Sequence, residues 1–335
     1  MTEPTALVEV RGLKKYFPVR TGVLRRARGW VHAVEDVNLD IYPEETLGLV
    51  GESGSGKSTL GRLILRLEEP TRGSVRFMGK DLSRLGSQEL KKARRDMQIV
   101  FQDPMGSLNP RLSVGSIVSE GLRAHRIGDR AERSQRVDDI LARVGLSADA
   151  INRLPHTFSG GQRQRIGIAR ALVLRPRFIV ADEPVSALDV SIQSQVLNLL
   201  VDLRREFHLT FLFIAHNLAV VSYIADRIAV MYLGRIVELA TTDQLLNQPL
   251  HPYTVALLSA IPEPNPDIRR QRIILRGEIP SPMSPPSGCP FRTRCPIARD
   301  ICSVVVPSLE ERASGHHAAC HFPGEMSTLA RSATG

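Results

Sequence analysis

Gly51-Glu52-Ser53-Gly54-Ser55-Gly56-Lys57-Ser58 fits G-x-x-x-x-G-K-[ST] at every fixed position, and its neighbours give the match meaning. The apolar run Leu47-Gly48-Leu49-Val50 precedes it; Leu60, Leu63, Ile64 and Leu67 follow on one face of a helical repeat. A strand–loop–helix order of this kind confines the chain to an α/β fold with a phosphate cradle. The glycines let successive backbone N–H groups turn inward, and the helix N-terminus adds its positive end. Lys57 would reach the β- and γ-phosphates and Ser58 would take a place on Mg²⁺, the nucleotide-binding stretch running on to Thr59.

A second glycine-rich helix start, Ser159-Gly160-Gly161-Gln162, opens the run Ile166, Ala169, Leu172 and Val173. In isolation it reads as an ordinary helix cap. One nucleotide does not need two phosphate cradles, so this one is expected to serve a nucleotide held by a partner's Gly51–Ser58 loop. With these residues the chain resembles the ATP-binding subunits of ATP-binding-cassette (ABC) transporters, whose signature sequence this is.

The resemblance implies roles for further positions. Phe178-Ile179-Val180-Ala181 is an apolar run fit for a buried strand and ends in Asp182-Glu183. Asp182 resembles the carboxylate that helps hold Mg²⁺, and Glu183 the residue that polarises the attacking water. Gln102, after Gln98-Ile99-Val100-Phe101, matches the Q-loop glutamine. His216, after Phe211-Leu212-Phe213-Ile214-Ala215, matches the switch histidine at the γ-phosphate. Ser186-Ala187-Leu188-Asp189 matches the D-loop, which communicates across the dimer. Tyr16 resembles the aromatic that stacks on adenine, with Phe17 as the alternative.

Strand signals at Leu47, Gln98, Phe178 and Phe211 alternate with helical runs, which predicts a mostly parallel, covered sheet. Residues 7–41 carry alternating segments, Val31–Val34 and Val37–Ile41 among them, that read as an antiparallel edge sheet. Strand signals stop between Asp103 and Phe158, where the resemblance implies a helical subdomain, about residues 103–160, that touches membrane subunits. Ile228–Tyr232 and Arg235–Leu239 predict two strands around Gly234. The fold expected is therefore α/β, an ABC-type P-loop ATPase with a mixed sheet core, an antiparallel edge sheet and a helical subdomain over residues 1–248. A small cysteine-containing extension would occupy 249–335. No internal repeat is apparent, so the second cassette must come from elsewhere.

A net charge of +9 permits nucleic-acid binding, but the aromatic content is 5% and no basic–aromatic motif appears, so no nucleic-acid partner is expected. No apolar stretch approaches the ~18–20 residues of a bilayer span, and Met1-Thr2-Glu3-Pro4 is unlike a signal peptide. Arg20, Arg25, Arg26 and Arg28 read either as a contact with anionic headgroups or as a solvated loop.

Prolines 262, 264, 266, 280, 282, 285 and 286 predict an extended linker. All four cysteines lie beyond it: Cys289, Cys295, Cys302 and Cys320. In a reducing compartment disulfides are unfavourable, which leaves metal binding as the main alternative to idle thiols. The spacing C-x5-C-x6-C-x17-C is neither a paired zinc ribbon nor a standard ferredoxin pattern. A [4Fe–4S] cluster is the leading reading; zinc, helped by His316, His317 and His321, and no metal at all remain open.

His251-Pro252-Tyr253-Thr254 and Gly288–Pro296 resemble the C-terminal extension of dipeptide and oligopeptide importer ATPases, as do Phe101–Pro104 and Ser107–Pro110. Within that subgroup the resemblance implies ATP and Mg²⁺ as ligands, and iron–sulfur clusters occur in such tails. The partners implied are a second, often non-identical ATPase subunit, two transmembrane permease subunits and an extracytoplasmic peptide-binding protein. The implied location is peripheral, on the cytoplasmic face of the inner membrane. Alternatives are an importer ATPase for nickel or another small solute, and a soluble non-transport cassette ATPase.

Overall fold

The apolar runs become strands because they are buried on both faces. In chain order the strands are β1 (Val8–Thr21), β2 (Arg26–Ile41), β3 (Thr46–Val50), β4 (Arg72–Phe77), β5 (Lys80–Asp81), β6 (Met97–Val100), β7 (Phe178–Asp182), β8 (Thr210–Ala215), β9 (Arg227–Tyr232), β10 (Arg235–Thr241), β11 (Glu310–Ala313) and β12 (His316–Ala318). The helices are α1 (Lys57–Ile64), α2 (Ser87–Asp96), α3 (Pro104–Ser107), α4 (Val114–Ala124), α5 (Arg130–Arg143), α6 (Gly160–Leu172), α7 (Val190–Phe207), α8 (Leu218–Ile224), α9 (Thr242–Asn247), α10 (Pro252–Ser259), α11 (Ile301–Val304) and α12 (Glu325–Ser332). The computed structural model describes residues 5–21, 26–261 and 273–332. The basic cluster falls outside what is described, Arg25 entirely and Arg20, Arg26 and Arg28 in their side chains, as do Pro262, Pro264 and Pro266.

The chain divides into two compact units. The first comprises Met1–Val8, Ile41–Thr46 and Phe77–Ala215. Its β6, β7 and β8 are parallel, with Met97 opposite Phe178 and Asp182 opposite Ile214. Every residue of β7 and β8 is buried, which is why their sequences read as unbroken apolar runs rather than alternating ones. Between β6 and α6 the chain is helical: α4 turns Val114, Ile117, Val118 and Leu122 inward, and α5 turns Val137, Ile140 and Leu141 inward. Asp129 and Glu132 form a reciprocal capping box that starts α5.

The second unit comprises Glu9–Asp40, Leu47–Arg76 and His216–Gly335. In it β2, β1 and β4 lie side by side, and β3 pairs parallel to β9 with Leu47 opposite Arg227. The expected segments Val31–Val34 and Val37–Ile41 are one strand, β2, with Asp36 at φ 56° absorbing the irregularity. The β9–β10 hairpin turns through Leu233 (φ 43°) and Gly234 (φ 79°), the two left-handed residues of a tight hairpin turn. Beyond α10, residues 273–300 form turns and bends, as the prolines require. The tail is more ordered than its prolines suggest: β12 pairs with β10, Glu238 opposite Ala318, and β11 pairs with β12. Phe291 is 1% exposed there. Among the described residues no helix is long and apolar enough to cross a membrane.

Candidate functional site

The phosphate-type loop connects the buried end of β3 to α1. Gly56 caps the helix at φ 104°, and a Cβ there would lie 2.1 Å from the Ala33 carbonyl oxygen, so geometry and space both demand glycine. Ser53 and Gly54 are exposed, whereas Gly51, Ser55 and Lys57 are buried. The Lys57 ammonium is held inside the loop, donating to the Gly51 carbonyl at 2.7 Å and the Glu52 carbonyl at 3.0 Å. The ammonium thereby sits at the centre of the loop's turn. Ser58 and Thr59 follow in the first turn of α1, half-buried. A hydroxyl at Ser58 and a carboxylate at Asp182 are oxygen donors of the kind a hard divalent cation takes.

Glu52 has two partners that sequence reasoning missed. Its N–H donates to the Tyr253 hydroxyl at 2.8 Å, and its carboxylate accepts from the two terminal guanidinium nitrogens of Arg294, at 2.7 and 3.0 Å. A signal was present: an acid inside a phosphate loop calls for a nearby cation. The sequence does not say which of 44 basic residues provides it.

In the first unit, β7 carries Asp182, 3% exposed, and then turns at Glu183. Glu183 sits at φ 46°, a left-handed conformation disfavoured for a side-chain-bearing residue. Its N–H donates to the Ile214 carbonyl at 3.0 Å, which holds the turn. The Gln102 side-chain amide donates to the Glu183 carboxylate at 3.0 Å, so two expected site residues 81 positions apart meet. Ser186 then closes the turn, its hydroxyl and its N–H both donating to the Glu183 carbonyl, while Ala187 and Asp189 are exposed and Leu188 is half-buried. His216, in the second unit, follows β8 directly and is exposed.

Ser159 caps α6. Its hydroxyl accepts the Gln162 N–H at 3.3 Å, and Gln162 returns a bond to the Ser159 N–H at 3.0 Å. Ser159, Gly160 and Gln162 are exposed, but Gly161 is buried. A Cβ on Gly161 would meet Ile192 at 2.5 Å, whereas one on Gly160 would meet only Leu188 at 3.4 Å. The cap is thus built and leaves the Gly160 edge open.

Tyr16 donates its hydroxyl to Glu35 at 2.6 Å and sets its ring 4.3 Å from that of His32. Burial, together with the Glu35 bond, lifts its pKa to about 12, so it stays a neutral phenol. The Lys15 ammonium lies 4.7 Å over the ring of Phe17, the alternative aromatic.

The four cysteines fall in one small region. Cys289, Cys302 and Cys320 are buried, and the Cys289 N–H donates to the Cys302 carbonyl at 2.8 Å. Burial, helped by the neighbouring thiols, pushes the Cys295 thiol up to about 12 and the Cys320 thiol to about 11. Four soft donors whose anionic forms oppose one another fit a thiophilic cationic group, which would relieve that opposition. Among the described residues, however, no group of three or more His, Cys, Asp or Glu side chains is placed to hold a metal ion as it stands. The cysteines share a fold but not one coordination sphere, and the side chains would have to turn inward around the group. His316 spends its Nε2 on Glu238 at 2.8 Å, and His321 its Nε2 on the Val305 carbonyl at 3.0 Å.

Residues 34–186 match the family model described as ABC transporter, and residues 237–302 match that of the oligopeptide/dipeptide transporter C-terminal region. The oligopeptide transport ATP-binding protein AppF of Bacillus subtilis (strain 168) is 52% identical over 319 residues, covering 94% of this chain and 97% of AppF. A Brucella ovis protein named for peptide import ATP binding is 57% identical over 320 residues, 96% of this chain and 98% of that protein. Among solved structures, the dimeric ATP-binding cassette MJ0796 in a post-hydrolysis state bound to ADP and Pi matches with a TM-score of 0.63 at 32% identity, over 70% of this chain and 98% of that one. CbiO1 of Clostridium perfringens, part of the ABC transporter complex cbiONQ, matches with a TM-score of 0.62 at 28% identity, over 72% of this chain and 90% of CbiO1.

Proposed function

The chain belongs to the family of ABC transporter ATP-binding subunits, and on that premise we propose that it hydrolyses ATP to drive import of di- or oligopeptides. One observation carries the reading: a chain with an intact phosphate loop also presents a carboxylate, Glu183, held by Gln102 at the end of a buried strand. Peptide as cargo is supported by the match of residues 237–302 and by the names of the relatives, which resemble this chain along nearly its whole length.

The mechanism proposed is a clamp. Two cassettes, this one and a second, often non-identical one, close head to tail on ATP. Gly51–Ser58 of one chain and Ser159–Gln162 of the other face the same nucleotide, and the dimeric structure of the similar cassette MJ0796 supports such pairing. Lys57 neutralises the β/γ-phosphates, the amides at Gly160 and Gly161 receive the partner's γ-phosphate, and Glu183 orients and polarises the attacking water. Gln102 positions Glu183, and His216 contacts the γ-phosphate. Ser58 and Asp182 would hold Mg²⁺, which supplies charge neutralisation at the phosphates. Tyr16 offers its ring to adenine, and Ser186–Asp189 would relay closure across the dimer.

Closure moves two permease subunits fed by an extracytoplasmic peptide-binding protein, with this chain peripheral on the cytoplasmic face of the inner membrane. Cys289, Cys295, Cys302 and Cys320 would hold a [4Fe–4S] cluster, whose contribution is to cross-link and order the tail rather than to carry out redox chemistry. Co-expression with peptide-permease subunits tests the whole reading. The expected result is co-purification with two hydrophobic subunits and ATP-dependent peptide uptake in reconstituted vesicles. A fully active ATPase that binds no permease would contradict it, and uptake of nickel without peptide would replace the cargo.

A further inference from the structure

Glu52 is an acid in a loop whose task is to surround phosphate. An uncompensated carboxylate there would repel a triphosphate that carries several negative charges. The compensating charge comes from the tail, 242 residues later. Arg294 meets Glu52 with two parallel hydrogen bonds, and its side chain is only 8% exposed against 27% for Glu52. A forked, partly buried pair of this kind is stronger and less screened than a surface ion pair.

The local packing aims the guanidinium. Phe291 is buried against the rings of Tyr232, Tyr253 and His251, at centroid distances of 5.2, 5.4 and 5.5 Å. The Arg294 N–H donates to the Phe291 carbonyl at 3.0 Å, and the guanidinium carbon lies 5.9 Å from the Tyr232 ring. Tyr253, from the same aromatic group, takes the Glu52 N–H on its hydroxyl. Side chain and backbone of one loop residue are therefore both tied to the extension.

We propose that Arg294 is a positioning residue for ATP binding, neutralising Glu52 and fixing the turn of the phosphate loop from the cysteine-bearing extension. The proposal rests on the reading of Gly51–Ser58 as the nucleotide loop. It makes the folded extension a condition of normal nucleotide affinity: a tail that loosens would release a negative charge beside the phosphates.

The test uses the full chain and a fluorescent ATP analogue, with steady-state ATPase measured in the assembled transporter. Arg294→Gln should weaken analogue binding on the order of tenfold, as one unit charge beside a triphosphate implies. The maximal rate at saturating ATP should fall far less than the affinity. Arg294→Lys, which keeps the charge but not the fork, should lie between the two. The deciding variant is Glu52→Gln combined with Arg294→Gln, which should recover binding to within about twofold of the parent because no charge is left to repel phosphate. Unchanged affinity in Arg294→Gln would overturn the proposal. So would a double variant as weak as the single one, which would mean that Arg294 only supports the tail. If the parent chain itself bound no nucleotide, the underlying reading of the loop would fail instead.

Discussion

Gln102 and Glu183 lie 3.0 Å apart, amide to carboxylate, with Gln102 just beyond β6 and Glu183 just beyond β7. Parallel pairing of these strands, with Val100 opposite Ala181, brings the two strand ends together. In the role proposed for it, polarising water, the Glu183 carboxylate needs a fixed direction, and the amide supplies it without adding charge. Gln102→Ala should therefore reduce kcat by at least about tenfold while ATP affinity changes little, since a misdirected general base loses rate rather than binding. Equal losses in affinity and rate would move Gln102 into nucleotide binding.

Gly160 and Gly161 separate folding from partner chemistry. Gly161→Ala drives a Cβ to 2.5 Å from Ile192 and should destabilise the fold by about 1–3 kcal/mol, the usual cost of overpacking. Gly160 has room, so Gly160→Asp should leave melting and this chain's own nucleotide binding near those of the parent. It should reduce hydrolysis at the site completed by this helix start, because a carboxylate would repel the partner's γ-phosphate. Unchanged ATPase of the assembled transporter carrying Gly160→Asp would reduce Ser159–Gln162 to a helix cap.

His251 gives the fold a pH dependence. Burial lowers its pKa from 6.5 to about 3, and its Nδ1 accepts the Tyr253 N–H that starts α10. The folded state thus keeps it neutral while the unfolded chain binds a proton below about pH 6.5. Its stabilisation is complete above the unfolded pKa and is lost as pH falls from there towards 3. Between pH 7 and 5.5 the loss is about 1 kcal/mol. His251→Asn keeps a capping acceptor but no titrating ring, so its urea midpoint should fall less over that interval. Parallel slopes for the two proteins would place the proton elsewhere.

Metal content decides the tail. Anaerobically purified chain should be brown, absorb broadly near ~400 nm and contain about four irons, and Cys302→Ser should lose the colour. Stoichiometric zinc in colourless protein would replace the cluster, and absence of both metals would leave four structural thiols.

What the sequence disclosed, and what it hid, follows from the range of the interactions. Phe178–Ala181 and Phe211–Ala215 were legible because strands buried on both faces must be continuously apolar. Ser159 and Gln162 were legible because a capping box links residues only three positions apart. The single strand β2 was not, because only tertiary pairing carries it through Asp36 at positive φ. Glu310-Glu311-Arg312-Ala313 has no strand signature, yet it lies beside β12, which Glu238 and Ala318 join to β10. Glu238 itself is fully buried and accepts from the Leu250 and His251 N–H groups at 2.7 and 2.9 Å. No local pattern announces a carboxylate placed that way. Arg294 was visible only as one more arginine until the fold brought it to Glu52.

The most direct measurement is multiple-turnover ATP hydrolysis by the assembled transporter carrying Glu183→Gln, with Lys57→Ala as the binding control. The substitution keeps the shape and removes the carboxylate proposed to polarise water, so nucleotide should still bind and hold the cassettes closed while turnover falls by about 10²-fold or more. Lys57→Ala should instead weaken binding itself. Hydrolysis by Glu183→Gln at the parent rate would contradict the account at its centre.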